Sequence, residues 1–290
     1  MKHLIAVISL TLFACGLARG APPAVVDGLQ MPAWVERYGF LQPLAPGMEL
    51  RQHDVVRTGR NARVLLKLAE GSLVRLGENG QLKLSSLNEK DDGKSVFRAA
   101  FEVLRGAFRF TTDRLAKPRQ RDLQVKIASI SAGVRGTDLW GKAAEDRDVL
   151  CLIEGSIRVG REGAAEFEMN DPLTFYIAPR GAAPEPVQPV PLAKLAQWAQ
   201  ETDLAPGQGA VQRGGKWKLV LAEAPDQGPA LDVYLKARTA GYGASIDFTG
   251  KAPRQRYVVS IGPIAEEAGA QALAERLAAE LGITKPQVVK

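Results

Sequence analysis

VKIASISAGVRGTDLWGKAAEDRDVLCLIEGSIRVG, residues 125–160, is the stretch that decides how the chain around it folds. It contains three extended runs in which apolar and polar residues alternate, as they do in half-buried strands. Glycines interrupt the alternation at Gly133, Gly136 and Gly155. Glycine tolerates positive φ and close backbone approach, so we predict turns at these positions. The stretch therefore predicts a β-meander whose first turn presents Arg135 to a carboxylate or a carbonyl.

Three polar side chains in or beside this predicted turn are candidate site residues: Arg135, Thr137 and Asp138. In a structural interpretation, Arg135 hydrogen-bonds carbonyls or pairs with an acid, and Asp138 caps the turn through its own backbone. In a functional interpretation, the rigid turn contacts a partner protein. Both interpretations fit the residues of the turn.

Two stretches of this half resemble a known family. GVRGTD, followed by the strand LIEGSIRV, resembles the signature of the FecR domain, a periplasmic module of bacterial signalling and envelope proteins. VVRTGRNARVLLKLAEGSLVRLGENGQLKL, residues 55–84, is similar to that family's strand pair, which ends in a Gly-Ser turn. The resemblance covers roughly residues 48–162. It implies a periplasmic module but names no activity.

Short alternating runs separated by Glu-Gly and Asn-Gly turns continue through most of the first 180 residues. Such turns between alternating runs are hairpin signals. We therefore predict an all-β, FecR-like domain over residues 26–180, which is either a sandwich or a short curled solenoid. Periodicity does not choose between these two architectures.

The next segment, residues 181–214, is rich in proline and is predicted to be a stiff, extended linker. A short helix near residues 192–203 interrupts it, because leucine and alanine recur there at helical spacing. Trp198 lies on this helix, and we expect it to dock on a neighbouring domain rather than to bind a ligand.

Residues 215–290 contain an internal repeat, in which a strand, a helix and a second strand occur twice. This order is the ferredoxin-like βαββαβ arrangement. The sequence therefore predicts a multidomain protein, with an all-β domain followed by a smaller α+β domain.

YVVSIGPIAEEAGAQALAERLAAELGI, residues 257–283, resembles the SPOR domain, a peptidoglycan-binding module, and the resemblance extends over about residues 215–290. It implies that one sheet face packs on the helices and that the other lies across glycan strands. Alternation along the strands leaves three candidate glycan contacts on the open face: Lys218, Arg256 and Ser260. The chain departs from the family's more polar pattern at three positions, which are Val220, Glu223 and Val258.

The N-terminus predicts export. Lys2 precedes an apolar run over residues 4–17 that is too short to span a bilayer, and small residues favour cleavage before Ala21. Residues 1–20 are therefore interpreted as a signal peptide, and we expect a periplasmic protein. An alternative stays open, because LFAC resembles a lipoprotein box that would make Cys15 a lipid-anchored first residue.

Charge and cysteine content limit the function further. The formal net charge of +6 falls to +4 once Lys2 and Arg19 leave with the signal peptide, because no acid is lost with them. This is too small a charge for a nucleic-acid-binding surface, and we expect no nucleic-acid partner. The two cysteines are Cys15 and Cys151, so we expect Cys151 to be a small buried hydrophobe without a disulfide partner.

The residue types of catalysis and metal binding are sparse. The histidines are His3 and His53, and His53 beside Asp54 is interpreted as a surface residue. The glycines of GVRG do not form a phosphate loop, since no third glycine, lysine or following helix supports it. We therefore expect no catalytic residues, no metal site and no cofactor.

The main functional expectation is a non-enzymatic binding protein of the cell envelope. Its C-terminal sheet would associate with peptidoglycan glycan strands, and its β domain would bind an unknown periplasmic or outer-membrane protein. The alternative is a periplasmic sensing or signal-transduction component. Transducers of the FecR type carry a cytosolic segment and a membrane helix, and neither is recognised in this sequence. We therefore expect such a component to act without direct sigma-factor control.

Overall fold

The computed structural model describes residues 22–90, 96–112, 120–251, 253 and 255–290. The predicted signal peptide and Cys15 lie outside these residues. The described part of the chain forms one large mixed sheet of twenty strands with three helices. Within the same residues, no helix has both the length and the apolar character needed to cross a membrane.

The β-rich half begins with eight short strands joined by tight turns: β1 (Ala24–Gln30), β2 (Ala33–Arg37), β3 (Phe40–Pro43), β4 (Glu49–Leu50), β5 (Val55–Thr58), β6 (Arg63–Leu68), β7 (Leu73–Leu76) and β8 (Gln81–Lys90). Longer strands follow: β9 (Val96–Thr111), β10 (Gln120–Ile127), β11 (Ile130–Ala143) and β12 (Arg147–Arg161), then β13 (Phe167–Met169) and β14 (Thr174–Pro179). The predicted all-β character of this half is confirmed.

The long strand β9 links two parts of the sheet. Its first half pairs with β8 and, in parallel, with β10. Its second half pairs with β7 and β11. The change of partners occurs at Gly106, whose φ of +86° suits glycine but strains other residues. Hydrogen bonds connect all the described strands into this one sheet.

The core is formed by the buried side chains of these strands. Buried side chains recur at every second position, as Val64, Leu66 and Leu68 show on β6. These side chains meet in a single large cluster that extends from β1 to the C-terminal helix. Burial of one face of each strand is the reason that a sequence with period two folds as a sheet.

The proline-rich segment contains β15 (Gln188–Pro189), helix α1 (Leu192–Thr202) and β16 (Val211–Gln212). The predicted helix is confirmed. The segment is not a free extended spacer, because β15 pairs with β14 and β16 pairs with both β1 and the C-terminal strand Arg256–Ile264. It therefore connects the two halves through backbone hydrogen bonds.

The C-terminal half consists of β17 (Trp217–Ala224), α2 (Gln227–Thr239), β18 (Ser245–Thr249), β19 (Arg256–Ile264), α3 (Glu267–Leu281) and β20 (Gln287–Val289). Its antiparallel strand order is β20-β17-β19-β18. The predicted βαββαβ order of elements is therefore present.

A separate C-terminal domain is not evident. Gly241, just after α2, accepts a backbone hydrogen bond from Ala33 of β2 at 3.0 Å. A Cβ on Gly243 would lie 2.5 Å from the carbonyl oxygen of Leu44, so the two segments are in close contact. The buried residues of α3 also belong to the same core cluster as those of β1. The expectation of two domains joined by a linker misses this packing, because periodicity describes elements and not their contacts.

Candidate functional site

The outer face of strands β11 and β12 is divided by a β-bulge. The strand register shifts between Arg135 and Asp138, and the bulge glycines Gly136 and Gly155 have φ values of +67° and +91°. A Cβ on Gly155 would lie 2.6 Å from the carbonyl oxygen of Gly136. The predicted turns at these glycines are therefore wrong, since both strands continue through the bulge. Local sequence does not distinguish a glycine that turns a chain from one that permits a bulge.

Before the bulge, the outer face is open and polar. It forms a groove of about 560 Å³, here called the Arg135 groove. Its polar lining comes from β10 to β13 and the turn after β13, and includes Asp122, Gln124, Ser131, Arg135, Ser156, Arg158, Glu166, Glu168 and Asn170. Gly133 and Gly160 also line the groove and add no side chain to it.

Gly133 lies in the groove with no atom within 4 Å of the position a Cβ would occupy. It pairs across the sheet with Arg158, whose Nη2 lies 3.4 Å from Oε1 of Glu168. Both members of this ion pair are exposed, so solvent screens it and it adds little stability. The groove therefore presents charges of both signs that are available to a ligand.

The structure separates the three candidate residues of the predicted turn. Arg135 is exposed in the groove, opposite Ser156. Among the described residues, its guanidinium makes no hydrogen bond or ion pair. Thr137 is buried, and its backbone exchanges hydrogen bonds with Thr112: the Thr137 N–H donates to Thr112 Oγ1 at 3.1 Å, and the Thr112 N–H donates to the Thr137 carbonyl at 3.0 Å. Of the two, only Arg135 is placed to touch a ligand.

Asp138 lies on the other side of the bulge and pairs with Arg109 of β9. Arg109 Nε and Nη2 donate to the two carboxylate oxygens at 2.9 and 2.7 Å. This hydrogen-bonded pair raises the pKa of Arg109 above its ordinary value. The expectation that Asp138 caps a turn through its own backbone is therefore wrong, because β9 lies beside it and offers a bidentate partner.

After the bulge, the outer face is apolar and is covered by α1. Trp198 of α1 stacks on Trp140 of β11 with ring centroids 4.4 Å apart, and it meets the ring of Phe175 edge-on. This confirms that Trp198 docks on the neighbouring β region. Asp203, at the end of α1, adds an ion pair with Arg75 at 3.1 Å.

Cys151 lies beneath this helix and is fully buried. Burial raises the pKa of the Cys151 thiol to about 12, since the charged thiolate would lose its hydration. The thiol is therefore inert at neutral pH. The expectation that Cys151 is a buried hydrophobe is confirmed.

The C-terminal sheet holds the second set of candidates. Lys218 and Arg256 are exposed on the face opposite the helices. Ser260 lies on the same face but is 0 % exposed, so its interpretation as an accessible glycan contact is wrong. The neighbouring Val220 is also buried. Ser260 occupies the centre of the sheet between β17 and β18, where its short side chain is surrounded by those of the adjacent strands.

The described residues contain no cluster of three or more histidine, cysteine, aspartate or glutamate side chains that could hold a metal ion. His53 is exposed. Its neighbour Asp54 is instead bound by Arg37, whose Nε and Nη2 donate to the carboxylate at 2.8 and 2.6 Å. Asp54 is therefore engaged with Arg37 and does not orient His53 as a general base.

Residues 54–158 match the family model described as FecR protein. This segment, which is less than half of the chain, is therefore similar to the FecR family. The match covers β5 to β11 and most of β12, and thus both sides of the bulge. No curated protein matches the chain.

Two crystal structures resemble the fold in part, and both are described as "a putative anti-sigma factor" from Parabacteroides distasonis ATCC 8503. The first is 14 % identical, with a TM-score of 0.41 over 50 % of this chain and 64 % of that one. The second is 12 % identical, with a TM-score of 0.40 over 79 % of this chain and 91 % of that one.

The sequence did not lead us to predict that the outer face of β11 and β12 is open before the bulge and covered after it. The alternation around residue 140 contains a signal, since Trp140 and Cys151 point outward on strands whose inward positions are already apolar. A strand that is apolar on both faces needs a second covering element. The amphipathic helix with Trp198 is that element.

Proposed function

We propose that this chain is a non-enzymatic, exported component of the cell envelope that takes part in sensing, with a FecR domain that recognises a periplasmic or outer-membrane protein. One observation carries the proposal: the match to the FecR family includes most of the lining of the open Arg135 groove. Export rests on the predicted signal peptide. Membership of a module found in signalling proteins favours sensing over passive attachment to the cell wall.

The chemistry of the Arg135 groove suits a polar, folded or extended segment of a protein. Arg135 and Arg158 supply donors, whereas Asp122, Glu166 and Glu168 supply acceptors. Among the residues that the structure describes in this lining, none has an aromatic side chain on which a sugar ring could stack. A segment bearing both signs of charge would therefore find partners without leaving an unpaired charge.

Gene replacement tests this proposal. The deletion strain would be complemented with the wild-type gene, with the groove variants Arg135→Glu or Gly133→Leu, or with the control Arg60→Glu, which changes an exposed arginine outside the groove. If the protein takes part in sensing, deletion changes a restricted set of transcripts. The wild type and the control restore them, and the groove variants do not. An unchanged transcript profile, or full restoration by both groove variants, would contradict the proposal.

A second candidate function is association with peptidoglycan glycan strands. The observation in its favour is the sheet face opposite α2 and α3, on which Lys218 and Arg256 are exposed. Co-sedimentation of residues 21–290 with purified sacculi, before and after an amidase has removed the stem peptides, tests it. Binding that increases after stripping, falls in the double variant Lys218→Glu/Arg256→Glu and persists in Lys236→Glu supports a glycan site. Absence of binding to either preparation rejects it.

A further inference from the structure

A hairpin in the N-terminal part of the sheet projects apolar side chains into solvent. Strands β2 and β3 pair from Trp34↔Pro43 to Arg37↔Phe40. The two turn residues, Tyr38 and Gly39, both have positive φ, at 52° and 80°, which is the backbone of a tight hairpin turn. Tyr38, Phe40 and Leu41 are 87 %, 78 % and 60 % exposed. Three large apolar side chains this exposed within four residues indicate an interaction surface.

The hairpin is held in place by contacts of Arg37, the last residue before its turn. Besides its bidentate bond to buried Asp54, Arg37 donates from Nη2 to the carbonyl of Glu49 at 3.1 Å. The hydrogen bond with Asp54 raises the pKa of Arg37 above its ordinary value. A surface that is fixed before binding loses less conformational entropy when a partner docks.

A groove of about 310 Å³ lies beside the hairpin. The strand register places Trp34, Arg57, Gln81 and Arg105 in one row across β2, β5, β8 and β9. Leu41, Thr58, Asn79 and Gly80 complete the lining. Tryptophan, tyrosine and arginine are the residues that most often dominate binding energy at protein interfaces.

The charged side chains that the structure describes in the lining of this groove have one sign. Arg57 and Arg105 line it, and none of the described lining residues is an aspartate or a glutamate. Glu36 pairs with Arg57 at the margin of the groove and neutralises it in part. Arg105 has a side chain 60 % exposed and lies 3.6 Å from the exposed Glu145, a distance at which a surface pair contributes little. The positive charge of Arg105 is therefore available to a ligand.

We infer that the hairpin surface, defined as Tyr38, Phe40 and Leu41 with the groove of Trp34, Arg57 and Arg105, docks an acidic segment of a partner protein. Carboxylates of the segment pair with the two arginines, and an aliphatic or aromatic side chain packs against Leu41 and Trp34. The surface draws its apolar anchors from residues 34–41, before the segment that matches the FecR family. It is separate from the Arg135 groove, and the inference does not depend on the proposed function.

NMR of residues 21–290 labelled with ¹⁵N tests this inference, because the tryptophan indole resonances report on single sites. The probe is a synthetic peptide of four Glu-Leu repeats, with four Lys-Leu repeats as the comparison. We expect the acidic peptide to shift the Trp34 indole, assigned with Trp34→Phe, and to leave that of Trp217 unchanged. The basic peptide shifts neither. Arg105→Glu and Phe40→Ser each weaken binding about tenfold, whereas Arg158→Glu in the Arg135 groove does not.

Three results would overturn the inference. The first is the absence of a Trp34 shift with the acidic peptide. The second is a shift that persists unchanged in Arg105→Glu and Phe40→Ser. The third is binding of the chain to vesicles of phosphatidylglycerol and phosphatidylcholine that is lost in Phe40→Ser, since the hairpin would then be a membrane contact. Because Arg105 and Phe40 are exposed, neither substitution is expected to disturb folding.

Discussion

The two halves of the outer face of β11 and β12 share the same strands, yet one is open and the other is covered. Before the bulge, glycine, serine and arginine line a polar groove. After it, Trp140, Cys151 and their neighbours form an apolar cluster beneath α1. One bulge at Gly136 and Gly155 divides them. The comparison indicates that the size and polarity of the side chains decide whether a face of the sheet stays open or is covered.

The largest difference between the halves is expected in the chemistry of Cys151. With its pKa raised to about 12 by burial, the thiol has a thiolate fraction of only about one in a thousand at pH 9, whereas an ordinary cysteine is mostly ionised there. Alkylation of the native chain by iodoacetamide should therefore continue to accelerate above pH 9. The unfolded chain should level off near that pH. Equal pH profiles for the two states would show that the half beneath α1 is open to solvent.

Adding a side chain at the bulge is expected to have the largest effect on the free energy of unfolding. Gly155→Val places a Cβ against the Gly136 carbonyl at a φ that valine rarely adopts. The free energy of unfolding should fall by about 3 kcal/mol. Urea denaturation of Gly155→Val measures this, with Gly133→Val as the matched control, because the added side chain there enters open space. Equal losses in the two variants would mean that the bulge is not the strained point.

Removing the Trp198 ring, with which α1 covers the apolar half, is expected to have the next largest effect on the free energy of unfolding. Trp198→Ala deletes the ring that stacks on Trp140 and should lower the free energy of unfolding by about 2 kcal/mol. It should also speed alkylation of Cys151 in the folded state. Leu192→Ala changes an exposed residue of the same helix and serves as the control. A Trp198→Ala chain that protects Cys151 as well as the wild type does would show that α1 is not the cover.

The ion pair beside the bulge has a smaller expected effect. Asp138→Asn leaves Arg109 with a weaker partner in a largely buried position, and the free energy of unfolding should fall by about 1.5 kcal/mol. Arg158→Gln breaks the exposed pair with Glu168 and should cost less than about 0.5 kcal/mol. Chemical denaturation of both variants tests this order. A larger loss of unfolding free energy in Arg158→Gln than in Asp138→Asn would contradict the prediction.

The smallest effect on stability is expected at the open groove itself. Arg135→Ala removes an exposed side chain that makes no hydrogen bond among the described residues. Its free energy of unfolding should stay within about 0.5 kcal/mol of the wild type. Thermal unfolding of this variant decides between a structural arginine and one available for binding. A loss above 1 kcal/mol, which such a surface change rarely causes, would favour the structural role.

Several features could be predicted from local patterns. Alternation of apolar and polar residues with period two predicted the β-rich half. In residues 215–290, apolar residues alternate at strand spacing in some segments and recur at helical spacing in others, which predicted the βαββαβ order. Motifs of a few residues indicated the similarity to the FecR family, whose model matches residues 54–158. These features depend on neighbours two to four residues apart, which is why they can be read along the chain.

The candidate sites were predictable only in part. Lys218, Arg256 and Arg135 are exposed, as their polarity suggests, but Ser260 is buried although it alternates onto the same face. A side chain as short as serine at the centre of a sheet is shielded by those of the flanking strands. The roles of Lys218, Arg256 and Arg135 in binding stay predictions.

The sequence by itself determined the elements, their order and the similarity of the β-rich half to the FecR family, because those depend on local periodicity and short motifs. Only the tertiary structure decided which half of the outer face is open, because that depends on partners far apart in the chain. Arg109 and Asp138 are 29 residues apart. Trp198 reaches Trp140 from a separate segment, after β14 and β15. No local pattern specifies such contacts, since they form only when segments far apart in the sequence meet in the folded sheet.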